Sequence, residues 1–157
     1  MSFSLSSSAL HNNAPIPRRY TAEGADVSPP LSWQDPPTGT RSYVLIVDDP
    51  DAPDPAAPKM TWVHWLLYNI PPGAHALEEG ITSSELSPGT LKGTNDWKRT
   101  QYGGANPPIG QHRYFHKLYA LDTLLPDLQC PTKDQLEHAM RGHVLGEAQL
   151  VATYKNH

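Results

Sequence analysis

At 157 residues and 38% apolar composition, the chain is sized for one hydrophobic core spanning residues 1–157, and no apolar run approaches the roughly 20 residues of a membrane helix. A net charge of −4 with histidines neutral, and no basic run beyond Arg18-Arg19, argues against nucleic acid and against an anionic membrane surface as partners, because both need concentrated Lys and Arg. With 17 prolines and 11 glycines, long helices are broken and short strands joined by turns are favoured.

The start of the chain, Met1 to Leu10, has neither a basic region nor a continuous apolar stretch, so it does not read as a signal peptide. Within it Ser2 to Ser6 alternates polar and apolar residues, as an edge strand does. Pro15 to Trp33 reads mostly as loop. Ser42 to Asp48 contains Tyr43-Val44-Leu45-Ile46-Val47, a strand buried on both faces. Asp49 to Pro58, with four prolines in ten residues, reads as irregular and stiff. Thr61 to Ile70 is the strongest strand, closed by Pro71-Pro72-Gly73. Gly80 to Asp96 carries little pattern beyond a short strand or two, and Tyr102 to Gly110 is a Gly/Pro loop. Arg113 to Asp122 is a further strand. Thr132 followed by Gln135 fits a capping box for one helix, with Leu136, Ala139 and Met140 on one side and Gly142 as its stop. Gln149 to Tyr154 returns to strand. The expected class is mainly β, with seven to nine strands and one helix. The single cysteine, Cys130, cannot form an internal disulfide and suits a reducing compartment, so cytoplasm is the expected location.

Three segments carry candidate chemistry. Asp48-Asp49-Pro50-Asp51 follows a buried strand, and proline fixes the backbone between its carboxylates, although surface turns favour the same residues. By strand alternation His64 shares a face with Trp62, Leu66 and Tyr68, where its ring needs a polar partner such as Asp49 or Asp51. A lone histidine there is most often a satisfied core residue. In Tyr102 to Tyr114, glycines let backbone N–H groups approach an anion, and His112 and Tyr114 face the same way with two side-chain donors. A plain loop before a core strand has the same composition. The eight histidines make charge sensitive to acid between about pH 5 and 8. Enzymatic readings find little support. There is no G-x-S-x-G elbow, and Gln129-Cys130-Pro131 has no histidine nearby in sequence. Asp49, Asp51, His64 and His112 match no metal-site spacing, and His112 and His116 stand roughly 13 Å apart on a strand. Asp51 to Pro55 lacks the glycine and glutamate of a calcium loop. No cofactor is implied.

Taken together, the chain resembles the phosphatidylethanolamine-binding protein family, in its short prokaryotic Raf-kinase-inhibitor-like branch. The resemblance runs through Ile16-Pro17, Tyr20-Thr21, Ser28-Pro29-Pro30-Leu31-Ser32-Trp33, Asp49-Pro50-Asp51-Ala52-Pro53, His64-Trp65, Gly93, Asn95-Asp96, Tyr102-Gly103-Gly104, Pro107-Pro108, His112-Arg113-Tyr114, Ala120-Leu121-Asp122 and Gly142-His143. It implies a β-sandwich with an anion pocket lined by Asp49, Asp51, His64, His112 and Tyr114, with Gly104, Pro107 and Gly110 in the loop at its mouth. The implied ligands are phosphate, acetate or a phosphorylated head group such as phosphoethanolamine. A homodimer, and a regulatory role on a kinase or protease with the pocket as a ligand-controlled switch, are compatible with it. A hydrolase or lyase using Asp51 and His64 is a third and weaker reading. Longer eukaryotic members carry an extra C-terminal helix, so a more open pocket is expected here. The chain departs from the family at Ala105, where relatives have proline, and at His116, which either extends the pocket or packs in the core. Carboxylates repel an anion, so the expectation is that they act behind the histidines, favouring a cationic His64 or His112 and an affinity that falls as pH rises. The same carboxylates also suit the ammonium of an ethanolamine.

Overall fold

Alternation along one strand sets up the architecture. In the computed structural model, which describes residues 2–156, strand β3 (Ser42–Ala52) is buried at every position from Ser42 to Asp49. Its Tyr43, Leu45 and Val47 enter one apolar core, and its Val44 and Ile46 enter a second on the opposite face. A strand buried on both sides needs a layer over each, and the rest of the chain supplies them.

Besides two single-turn 3-10 helices (Arg18–Tyr20 and Ser83–Glu85), the remaining elements are β1 (Ser4–Ser6), β2 (Leu31–Gln34), β4 (Met60–Ile70), β5 (Ala76–Leu77), β6 (Leu91–Lys92), β7 (His112–Leu121), the α-helix α1 (Lys133–Met140) and β8 (Val144–Tyr154). They form two antiparallel sheets, one of five strands in the order β6-β4-β3-β7-β8 and one of three in the order β1-β2-β5. The small sheet lays Leu5, Leu31, Trp33 and Leu77 over the first core. The second core is closed by Leu125 and by Leu136 and Met140 of α1. Helix α1 starts where expected: Thr132 and Gln135 exchange side-chain and backbone hydrogen bonds in a capping box, and Gly142 takes φ +80° just after the last turn. On the same face Asp48, buried, accepts hydrogen bonds from Lys117 Nζ at 3.3 Å and Lys133 Nζ at 2.8 Å, which ties α1 to the sheet. No helix among the described residues is long and apolar enough to cross a membrane.

Strands β1, β4 and β7 differ from the sequence reading by one or two residues at an end, and four strands differ by more. Strand β3 does not stop at Asp48 but runs on to Ala52 through Pro50, beyond the last β3–β7 pair, Asp48 with Phe115. There the Asp51 carboxylate accepts the Arg113 N–H at 2.8 Å, so a side chain replaces the lost backbone partner. Strand β2 lies at the end of the segment expected to be loop, where Leu31 and Trp33 alternate with polar Ser32 and Gln34. Strand β5 falls before Gly80, outside the stretch expected to hold short strands. Strand β8 begins at Val144 rather than Gln149, because its first residues pair with β7 while leaving Val144 and Leu145 exposed.

Candidate functional site

A β-bulge positions the central histidine. On β3 Val47 pairs with Trp65 and Asp48 with Val63, so His64 is the extra residue between them. The bulge reverses the parity of β4. Strict alternation places His64 on one face with Leu66 and Tyr68, but those two pack in the second core, while Trp62 and His64 turn to the other side. That side carries Asp49 of β3 and His112 and Tyr114 of β7. Between them lies a cavity of about 270 Å³, walled by Trp62, Trp97, Pro53, Pro107 and Pro108.

His64 is 3% exposed. Its Nδ1 lies 2.7 Å from the Gly103 carbonyl and must donate to it. Burial drives its pKa down to about 4, so near neutral pH the ring is uncharged and Nε2 is a lone-pair acceptor. Nε2 has no protein partner among the described residues. The ring stands edge-on to Trp97 and to Tyr114, with centroids at 5.0 and 5.2 Å. The Tyr114 hydroxyl also has no protein partner among the described residues, and burial raises its pKa, so it remains a neutral donor.

His112 is fully buried, and both of its nitrogens are engaged. Nδ1 meets Asp49 Oδ2 at 2.5 Å, and Nε2 faces the carbonyls of Ile109 at 2.9 Å and Pro53 at 3.1 Å. Oxygen acceptors on both sides of one ring require the Asp49–His112 pair to hold two protons, either as carboxylate with imidazolium or as carboxylic acid with neutral imidazole. The pair is neutral in both forms. Burial raises the Asp49 pKa, against the lowering effect of the His112 hydrogen bond. Asp51 is neutralised separately. Arg113 grips it in a fork, Nε at 3.0 Å and Nη2 at 2.9 Å, and this hydrogen bonding lowers the Asp51 pKa.

Of the residues singled out from the sequence, Asp49, His64, His112, Tyr114 and Pro107 line the cavity. Asp51, Gly104 and Gly110 do not. The Gly104 N–H, expected to cradle an anion, donates to Asp26 Oδ1 at 2.7 Å. A Cβ at Gly104 would stand 2.4 Å from that oxygen, so glycine is needed for loop packing. Gly110 takes φ +72° against Pro55. His116 sits in the core, with Nδ1 3.3 Å from the Leu150 carbonyl and its pKa lowered by burial to about 4, and it is not part of the cavity wall. The aromatic walls were not anticipated as site residues. Trp62 was legible as the residue two before His64. Trp97 had no local signal: it is presented by a turn that Asn95 organises, its Oδ1 accepting the N–H groups of Trp97 at 3.0 Å and Arg99 at 3.1 Å, and its Nδ2 donating to the Gln101 carbonyl at 2.8 Å. No Lys or Arg is among the lining residues. Among the described residues no group of three or more His, Cys, Asp or Glu is arranged to hold a metal ion.

Comparison with known proteins gives these residues a setting. The family model for phosphatidylethanolamine-binding proteins matches residues 6–155. A UPF0098 protein of Methanothermobacter thermautotrophicus is 44% identical over 152 residues, covering 96% of this chain and 97% of its own. One from Chlamydia pneumoniae is 41% identical over 151 residues, with the same coverage. The crystal structure of a phosphatidylethanolamine-binding protein homologue from Chlamydia trachomatis superposes with a TM-score of 0.90 at 38% identity, covering 99% of both chains. A structure from E. coli, described as a member of the mammalian family, also gives 0.90, at 26% identity over the whole of both chains. The chain belongs to the phosphatidylethanolamine-binding protein family.

Proposed function

We propose that the cavity binds a small oxyanion, a phosphate-bearing head group such as phosphoethanolamine, without chemically converting it. The observation that carries this reading is the pair of unengaged polar atoms, Tyr114 Oη and His64 Nε2, on residues that line an otherwise aromatic and proline-walled hollow. A volume of about 270 Å³ suits a head group rather than a larger organic ligand. The proline rim is stiff, which lowers the ordering cost of binding. The carboxylates that should repel an anion are each neutralised, Asp49 by His112 and Asp51 by Arg113. The expectation of a cationic His64 gives way to a neutral one, because burial outweighs the Gly103 hydrogen bond and the charge of Asp48.

Calorimetric titration with phosphoethanolamine near pH 6 tests the reading. Tyr114→Phe removes a hydrogen bond to a charged acceptor and is expected to weaken binding by about tenfold or more with the thermal midpoint unchanged. Equal affinity in the two proteins would overturn it. A second reading, docking on a protein partner, draws on Met60 and Ile109, each about half exposed beside the cavity mouth. If docking is the role, Ile109→Ser, outside the cavity lining, weakens partner capture and leaves head-group affinity intact.

A further inference from the structure

We infer that the site selects the singly protonated, monoanionic form of a phosphate monoester, whose own P–OH donates to His64 Nε2 while Tyr114 Oη donates to an unprotonated oxygen. This rests on the oxyanion reading above and adds to it the charge of the ligand and the direction of each hydrogen bond.

The first argument is the fixed tautomer. The Gly103 carbonyl at 2.7 Å claims the Nδ1 proton, and the same glycine returns its N–H to the His64 carbonyl at 3.2 Å, so ring and loop are held in register. A neutral ring fixed this way offers a lone pair at Nε2. A fully deprotonated oxyanion would set oxygen lone pairs against it, whereas a P–OH satisfies it.

The second argument is charge. With Asp49–His112 and Asp51–Arg113 each neutral as pairs, and no Lys or Arg in the lining, the hollow has no cation to balance a dianion. Transferring a second negative charge from water into such a site is strongly unfavourable. One charge met by a phenol donor is a far smaller demand.

The alternative is that His64 itself takes up a proton when ligand binds. The titratable groups that act on it, touch it or share its cavity are Asp48 and Asp49 on β3 and His112, Tyr114 and His116 on β7. Of these, Asp48 favours a proton on His64, while His112 and His116 oppose it. Asp48 is itself held by Lys117 and Lys133. Loss of water is the dominant influence, and it favours the neutral ring.

Calorimetry with methyl phosphate, dimethyl phosphate and sulfate from about pH 5 to 8 separates these cases. A phosphate monoester loses its last proton near pH 6, so methyl phosphate affinity is expected to be level below about pH 6 and to fall about tenfold per unit above it. Proton uptake at pH 8, read from buffers of different ionisation enthalpy, should approach one per ligand. Dimethyl phosphate, a monoanion without an O–H, and sulfate should bind at least tenfold more weakly than methyl phosphate at pH 5, with no slope. Methyl phosphate affinity that is flat to pH 8 overturns the inference and leaves the oxyanion reading standing. Sulfate or dimethyl phosphate showing the same fall with pH puts the proton on His64 and also overturns it. Failure of all three to bind at any pH removes the oxyanion reading, and the inference with it.

Discussion

His64 and His116 are both buried imidazoles held at about 4 by loss of water, yet one borders the cavity and the other is enclosed in the core. Their shared depression has a stability consequence. Both rings have a folded-state pKa below the ordinary 6.5, so between those values the unfolded chain binds more protons and stability falls as pH drops from about 6.5 to 4. At about 1.4 kcal/mol per unit, each ring accounts for roughly 3 kcal/mol across that window. His116→Leu removes one of the two. Its thermal midpoint, followed by circular dichroism, is expected to decline about half as much as the parent's between pH 6.5 and 4; an unchanged decline contradicts the assignment. Asp51 acts lower on the scale. Its pKa is held down by Arg113, so its contribution is present above the ordinary carboxylate range and is lost as pH falls through the depressed value. The residue types around the site were readable in the sequence, but their charge was not. Asp49 and His64 suggest an ion pair until the structure gives Asp49 to His112 and turns His64 to a carbonyl.

At the scale of elements, the site depends on two local departures from regularity. The bulge at His64 brings the ring to the cavity side, and the turn ordered by Asn95 delivers Trp97 opposite it. Gly103 is where these meet. A Cβ there would lie 2.2 Å from the Trp97 ring, far inside contact distance. Gly103→Ala is therefore expected to push Trp97 off the cavity wall and reduce head-group affinity by about tenfold, with a folded far-ultraviolet spectrum retained; unaltered affinity by calorimetry would show that Trp97 has no part in the site. Helix α1 was legible almost to the residue, because Thr132, Gln135 and Gly142 encode its ends locally. The bulge was not, because nothing in Val63-His64-Trp65 distinguishes a bulged strand from a regular one. Its register is set by β3, whose own residues are distant in sequence.

For the molecule as a whole, β3 belongs to both cores, so neither face of the large sheet can open without the other. The three-stranded sheet is different: β1 is three residues and β5 is two, and it contributes to the first core alone. Amide hydrogen exchange is expected to show β3, β4 and β7 opening only with global unfolding and β1 and β5 opening earlier by at least about tenfold in protection. Uniform protection would contradict this division. That β3 is covered on both faces was legible in the apolar run Tyr43 to Val47, whereas the two-sheet architecture was implied by the family resemblance. The pairing of β1 and β2 was less so, since short strands carry few residues of pattern. One further consequence follows from the walls of the cavity. Trp62 and Trp97 border it in a perpendicular pair with centroids at 5.7 Å, whereas Trp33 and Trp65 lie outside the lining. Indole emission responds to nearby charge and to displaced water, so the protein carries a built-in optical reporter of occupancy, and binding can be followed by its own fluorescence without a label.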